Sequence, residues 1–213
     1  MKKIILYVLT IIIYTSCCSD DCNISVNHQI GEYYQGGVII HIYQPGENGF
    51  VDGQQHGIIS STVDQTINST STYYPGETGC MWQPGTYNAT DQTTYFNATN
   101  STGIVLGTGG QNTNLILAVA LQTGLTFPAA TLARQYNGGG YSDWSLPSKN
   151  ELQKQFEKRN IVGGFANGWY WSSTEKTIYY AEALNFSTGN FDSTGGYKGP
   201  GSTPYKVRAI RYF

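Results

Sequence analysis

Residues 138–152 read Gly-Gly-Gly-Tyr-Ser-Asp-Trp-Ser-Leu-Pro-Ser-Lys-Asn-Glu-Leu, and residues 169–175 read Trp-Tyr-Trp-Ser-Ser-Thr-Glu. These two motifs decide the fold that we expect. Ser148 and Glu151 have the spacing of a capping box, in which the hydroxyl and the carboxylate each accept a backbone N–H at the start of a helix. They predict a helix that begins at about Lys149 and ends before Gly163. The second motif predicts a strand from about Tyr170.

The rest of the chain predicts short strands, long loops and two more helices. Asn112 or Thr113 is the expected cap of a helix over 115–121, which ends at Gly124. Pro128 suits the first turn of a second helix over 129–136. Residues 61–103 are read as long loops, with Trp82 as their anchor in the core. The predicted strands cover 37–43, 50–51, 57–60, 178–186 and 206–213.

Three further segments complete a recognisable pattern: residues 36–40 (Gly-Gly-Val-Ile-Ile), 107–114 (Gly-Thr-Gly-Gly-Gln-Asn-Thr-Asn) and 207–211 (Val-Arg-Ala-Ile-Arg). With the two motifs above, they resemble the Lcl C-terminal domain family over residues 32–213. That family is a bacterial extracellular module with a C-type-lectin-like fold. The resemblance implies an α+β fold with small twisted antiparallel sheets, two to three helices, long loops and paired termini. It also implies that the strand at 38–43 lies beside the strand at 207–213.

The N-terminus has the features of a bacterial export signal. Met1-Lys2-Lys3 is basic, and residues 4–13 form an apolar run that is too short to span a membrane. Ser16-Cys17 follows, as at a lipoprotein cleavage site. We therefore predict a signal peptide over 1–16, lipidation of Cys17, a lipidated tether over 17–31 and one domain over 32–213. The alternative is ordinary secretory cleavage.

This order predicts export across the inner membrane and a lipoprotein of the outer membrane or cell surface. The lipid is then the expected contact with the membrane. Charged residues make up 12% of the 213 residues, and the formal net charge is −2. Such a chain lacks the clustered Lys and Arg of nucleic-acid-binding proteins, so we expect no nucleic-acid partner.

The sequence contains no pattern that predicts catalysis or a cofactor. His28, His41 and His56 lack metal-ligand spacing, and no Ser lies in a Gly-x-Ser-x-Gly elbow. The residues that form the calcium-dependent sugar site of C-type lectins are absent from this sequence. The sequence also lacks the reactive Cys pair that formylglycine-generating enzymes have in their C-terminal half, because no Cys follows Cys80. We expect no metal, no cofactor and no enzymatic activity.

Two kinds of pairing stay open from the sequence. Cys22 and Cys80 could form a disulfide in an oxidising compartment. Glu175 or Asp143 could form an ion pair with Arg208 or Arg211. The sequence positions do not decide between these partners.

Aromatic residues provide the expected ligand surface. Trp144 and Trp171 lie inside the motifs and are predicted to be core residues. The loop over 187–205 combines several glycines with Phe191, Asp192, Tyr197 and Lys198, a composition suited to recognition. We predict that one binding face contains Trp169, Phe191, Asp192 and Tyr197. The alternative site is the insertion around Tyr73, Tyr87 and Tyr95.

These observations predict a cell-surface lipoprotein with a non-catalytic, adhesin-like domain whose partner is a surface glycan or protein. One alternative is a structural or accessory subunit of an envelope or appendage assembly. Another is a polysaccharide-directed enzyme, which would require an exposed pair of carboxylates beside a cleft.

Overall fold

The computed structural model describes residues 27–65, 78–199 and 203–213. Within them the chain has an α+β fold with small antiparallel sheets and few helices, as predicted. The strands are β1 (Tyr33–Tyr34), β2 (Gly37–Ile42), β3 (Gly57–Ser60), β4 (Thr86–Asn88), β5 (Thr93–Tyr95), β6 (Trp169–Glu175), β7 (Tyr180–Asn185), β8 (Gly196–Tyr197) and β9 (Ile210–Tyr212). The helices are α1 (Gly109–Thr123), α2 (Pro128–Gln135), α3 (Lys149–Glu157) and α4 (Arg159–Val162).

A four-stranded antiparallel sheet, in the order β1-β2-β3-β9, joins the two ends of the described chain. The resemblance to the Lcl C-terminal domain family implied that the strand at 38–43 lies beside the strand at 207–213, and this detail is wrong. Strand β3 lies between them, since Ile59 pairs with Ile39 on one side and with Arg211 on the other. All four residues of β3 are buried, so this strand is suited to a central position.

A three-stranded sheet, β6-β7-β8, separates two groups of buried side chains. Successive side chains of a strand point to opposite faces. Trp171 and Ala183 therefore face the main core cluster, which also contains Trp82, Trp144 and Ile39. The opposite face carries the second cluster, formed by Leu152, Tyr170, Leu184 and Phe186. A separate hairpin, β4-β5, lies within residues 61–103, which the sequence analysis predicts to be long loops.

Three indole rings are fully buried in the main core cluster, which confirms the prediction that they are core residues. Each donates its N–H to a backbone carbonyl: Trp82 to Ser172 at 2.8 Å, Trp171 to Cys80 at 2.8 Å, and Trp144 to Gly138 at 3.1 Å. The buried rings thus satisfy their polar atoms while they fill the core.

Helices α2 and α3 begin where the sequence predicts, and the capping box of Ser148 and Glu151 is present. Helix α1 begins at Gly109, earlier than predicted, and Thr108 at its N-cap makes no side-chain capping bond. The predicted caps, Asn112 and Thr113, are buried inside this helix. Among the described residues no single helix is long and apolar enough to cross a membrane; α1 and α2 reach that length only together, with a 117° bend between them.

The carboxylate of Glu151 explains the early start of α1. Its Oε2 accepts hydrogen bonds from the backbone N–H groups of Gly109 (3.1 Å) and Ser148 (2.7 Å). Its Oε1 accepts from the N–H of Gly107 (2.6 Å) and the hydroxyl of Tyr212 (2.8 Å). One fully buried carboxylate therefore caps α3, supports the first turn of α1 and holds β9. Burial raises the pKa of Glu151, and these hydrogen bonds oppose that shift.

We predict that Glu151→Gln lowers the free energy of unfolding by about 2 kcal/mol or more, because each buried donor without an acceptor costs about 1–3 kcal/mol. The amide nitrogen of the new side chain would face two of the four donors. Urea unfolding measures the change. Glu157→Gln is the matched control on the same helix, since this side chain is 43% exposed. Equal stability of the Glu151→Gln variant and the parent would contradict the role of Glu151 as the acceptor for these four donors.

Candidate functional site

Two of the predicted binding residues, Trp169 and Phe191, lie on opposite faces of the three-stranded sheet. Trp169 packs against the main core cluster and stacks on Tyr205, with ring centroids 5.7 Å apart. Phe191 forms a bridge with Leu184 and packs against the second cluster. The structure therefore does not bring Trp169 and Phe191 together.

The other two, Asp192 and Tyr197, make contacts that order their own loop. Asp192 Oδ1 accepts hydrogen bonds from the backbone N–H of Thr194 (3.0 Å) and from its hydroxyl (2.9 Å). The ring of Tyr197 lies edge-on to Phe96 and Tyr180, at centroid distances of 5.5 and 6.0 Å. Both side chains thus have structural roles within the described residues.

Lys198, which the sequence grouped with the same recognition loop, is fully buried. Its Nζ lies 2.5 Å from Glu175 and 4.6 Å from the centre of the Trp82 ring. Its carbonyl accepts the backbone N–H groups of Trp82 and Gln83, and this contact keeps Lys198 inside the fold. Burial lowers the pKa of Lys198, and Glu175 opposes that shift.

The ion pairs resolve the alternatives that the sequence left open. Asp143 pairs with Arg211 at 2.5 Å, which is one of the expected partners. Glu175 pairs with Lys198 rather than with an arginine. Arg208 pairs with Asp64 at 2.7 Å, and its buried guanidinium also donates to two carbonyl groups of the loop after α4.

The cysteines and the alternative binding tyrosines singled out from the sequence lie partly outside the residues that the structure describes. Cys17, Cys22 and Tyr73 fall outside them, so lipidation and the disulfide stay predictions. Cys80 is buried, and this burial raises the pKa of its thiol. Of the alternative tyrosines, Tyr87 lies in β4, and Tyr95 is exposed and donates its hydroxyl to Asp91.

A cleft of about 580 Å³ opens at the four-stranded sheet, where the two ends of the described chain meet. We call it the amide cleft, because side-chain amides are its commonest polar groups. Its volume is in the range of ligand-binding sites. The lining residues are Asn27, His28, Tyr34, Gln35, Ile42, Tyr43, Phe50, Asp52, Gly53, Gln54, Gln55, His56 and Phe213.

Three rings pack together in the wall of the amide cleft. The imidazole of His28 lies over Tyr34 at 3.9 Å between ring centroids. Phe213 lies edge-on to both, at 5.7 Å from His28 and 5.4 Å from Tyr34. The folded contacts thus begin at least at His28, within the segment that the sequence assigns to the tether. The cluster gives the cleft a preformed aromatic surface.

Hydrogen bonds hold the polar groups around these rings. The Gln55 side chain accepts the backbone N–H of His28 at 2.6 Å and donates to its carbonyl at 3.1 Å. His56 Nδ1 donates to the carbonyl of Phe213 at 2.9 Å, and its Nε2 lies 2.9 Å from the Gln54 side chain. The hydrogen bond from His28 holds the pKa of the Glu32 carboxyl below its usual value. The cleft is therefore organised before any ligand arrives.

A second cavity, of about 320 Å³, shares Tyr43, His56 and Phe213 with the amide cleft. We call it the apolar pocket, because rings, glycines and Val51 form most of its wall. The ring of Tyr43 is buried between the two cavities, and burial raises the pKa of its hydroxyl. The remaining lining residues are Asn48, Gly49, Gly107 and Tyr212.

The chemistry of these walls favours an uncharged, hydroxyl-rich ligand. Among the described residues that line the two cavities, the side chains include one carboxylate, Asp52, and no Lys or Arg. Side-chain amides can donate and accept at the same time, and rings offer apolar faces. No group of three or more His, Cys, Asp or Glu suited to a metal ion occurs among the described residues.

Sequence reasoning missed this site because its residues are far apart in the chain and belong to no motif. His28 and His56 lack metal-ligand spacing, so no sequence pattern singles them out as site residues. The signal that could have found it is the cluster Asp52-Gly53-Gln54-Gln55-His56 beside a buried strand. Such a turn of amides at a sheet edge is a candidate ligand surface.

Comparison with known proteins gives a likeness of fold. No protein-family profile matches the chain, and no curated protein matches its sequence. A similar solved structure is a fimbrial protein from Bacteroides ovatus, with a TM-score of 0.50 and 13% sequence identity. The match covers 82% of this chain and 43% of that protein, so this chain corresponds to less than half of it.

We predict that Tyr197→Ala lowers the free energy of unfolding by about 1–3 kcal/mol, because two aromatic contacts are lost at about 0.5–1.5 kcal/mol each. A Tyr197 side chain that served ligand binding alone would leave the stability nearly unchanged. Chemical unfolding distinguishes the two. Tyr33→Ala is the control, since the Tyr33 side chain is 66% exposed. Equal effects of the two substitutions would contradict a structural role for Tyr197.

Proposed function

We propose that this chain is a non-catalytic glycan-binding domain displayed at a bacterial surface, and that the amide cleft holds the glycan. The observation that carries the proposal is the combination of packed rings with preorganised amides in one cleft of ligand size. Sugar hydroxyls pair with groups that both donate and accept, and the C–H face of a pyranose packs on rings.

Preorganisation supports binding at this cleft. Gln55 is fixed to the backbone of His28, and His56 is fixed to the carbonyl of Phe213. A ligand therefore does not have to order these side chains, and ordering is a main cost of binding. The carboxylate side chain of Asp52 offers acceptors for sugar hydroxyls and disfavours acidic polysaccharides.

The surface location is supported by three features. The N-terminal order of basic residues, apolar run and Ser16-Cys17 is typical of an exported lipoprotein. The likeness of fold to a fimbrial protein agrees with a surface protein. The resemblance to the Lcl C-terminal domain family, with its C-type-lectin-like fold, points in the same direction. The lipid on Cys17 would hold the domain at the membrane.

The second candidate is an accessory subunit of a surface appendage, which the fimbrial likeness favours. Such a subunit would bind protein neighbours rather than a glycan. An enzyme is the weaker alternative, because glycoside hydrolysis usually uses two carboxylates. Asp52 is the one carboxylate side chain among the described lining residues of the amide cleft.

We predict that the double variant Asp52→Ala, Gln54→Ala weakens glycan binding by about tenfold or more, because two polar contacts are removed at about 0.5–1.5 kcal/mol each. Both side chains are exposed, so stability should change little. A glycan array identifies ligands, and calorimetry measures their affinity.

The matched control is Asp192→Ala, which removes a carboxylate from the site predicted by sequence. Its affinity for the glycan should equal that of the parent. If Asp192→Ala weakens binding and the double variant does not, the ligand lies at the loop after β7. If the array and calorimetry find no glycan, while pull-down recovers appendage subunits, the second candidate is favoured.

A further inference from the structure

The apolar pocket continues the amide cleft but differs from it in chemistry. Tyr43, His56 and Phe213 belong to both cavities. Beyond these shared residues the amide cleft carries Gln and Asp side chains, whereas the apolar pocket is lined by Val51, Tyr212, two glycines and Asn48. A ligand that fills both cavities must therefore combine a hydroxyl-rich part with a small apolar group.

Asn48 adds one oriented polar group to the apolar pocket. Its Nδ2 donates to the carbonyl of Leu106 at 3.2 Å. This bond fixes the orientation of the amide and leaves Oδ1 as an acceptor that makes no hydrogen bond within the described residues. Asn48 therefore adds a hydrogen-bond acceptor to the residues that line this mainly apolar pocket.

The turn that carries Asn48 is held in place. Glu47 accepts the backbone N–H of Gln44 at 2.9 Å and contacts His41 at 2.6 Å. The ring of Tyr43 packs so close to Gly49 that a Cβ there would lie 2.6 Å from it. The position of Asn48 is therefore set before binding.

We infer that the glycan contains an N-acetylhexosamine, with its acetamido group in the apolar pocket and its pyranose ring toward the amide cleft. This inference rests on the proposed function and narrows its ligand class. The acetamido methyl would contact Val51 and Phe213, and the acetamido N–H would donate to Asn48 Oδ1. The group is uncharged, which suits walls that contain Asp52 and no Lys or Arg among the described lining residues.

Two trisaccharides test the inference directly. Triacetylchitotriose and cellotriose have the same linkage and differ at C2, where the first has an acetamido group and the second a hydroxyl. We expect the full-length protein, in detergent, to bind triacetylchitotriose at least about tenfold more tightly by calorimetry. A buried methyl group and one hydrogen bond each contribute about a factor of three to ten.

Val51→Trp tests the pocket itself. Val51 is 43% exposed, so the larger side chain should fill the pocket without disturbing the core. The affinity for triacetylchitotriose should fall to that for cellotriose, and the affinity for cellotriose should stay unchanged. Val63→Trp, at a valine that is 54% exposed and lines neither cavity, is the matched control and should keep the preference.

Asn48→Ala provides a second, smaller change. It should weaken triacetylchitotriose binding by about threefold to tenfold, with less effect on cellotriose. Thermal unfolding of each variant shows whether the fold is retained, so that a loss of binding is not a loss of structure.

The outcomes separate this inference from the proposed function. Equal affinity of the parent for the two trisaccharides overturns the inference and leaves the proposed function in place. A preference that survives Val51→Trp also overturns it, because the acetamido group then lies elsewhere. Absence of binding to both trisaccharides overturns it as well; the proposed function falls too if the glycan array is negative.

Discussion

The structure depends on one buried carboxylate. Glu151 accepts four hydrogen bonds, and the donors come from three parts of the chain: the Gly-rich approach to α1, the cap of α3 and the last strand. A buried carboxylate is costly unless such donors surround it. Three of the four donors are backbone N–H groups at the starts of α1 and α3, where a helix leaves such groups without partners, and the fourth is the Tyr212 hydroxyl. The same contact therefore satisfies the helix ends and compensates the buried charge.

This contact also links the fold to the proposed site. Gly107 and Tyr212, which both donate to Glu151, line the apolar pocket. Phe213 follows Tyr212 and lies in the wall of both cavities. From there the hydrogen bond with His56 and the ring contact with His28 extend the order to the other end of the described chain. The cleft is thus built on the last strand, which is held by its pairing with β3 and by the hydrogen bond from Tyr212 to Glu151.

Local signals were the predictable part of this fold, and contacts distant in sequence were not. The capping box of Ser148 depends on neighbours in the chain, so the start of α3 followed from the motif. The start of α1 depends on a carboxylate 42 residues away, and no local pattern contains it. The central position of β3 likewise depends on its pairing with β9, a strand that is distant in sequence. The loop around Tyr197 has the composition of a recognition surface, but packing on Phe96 gives it a structural role. The cleft was missed because it forms only when His28, His56 and Phe213 meet.

The most direct measurement of the central claim is a nuclear magnetic resonance titration of the labelled protein with triacetylchitotriose. If the glycan occupies the two joined cavities, amide shifts will change at residues 43–56 and 212–213, and residues 187–199 will stay unaffected. Changes that concentrate at 187–199 and around Trp169, with none at 43–56, would contradict the account and move the ligand to the face that the sequence first suggested.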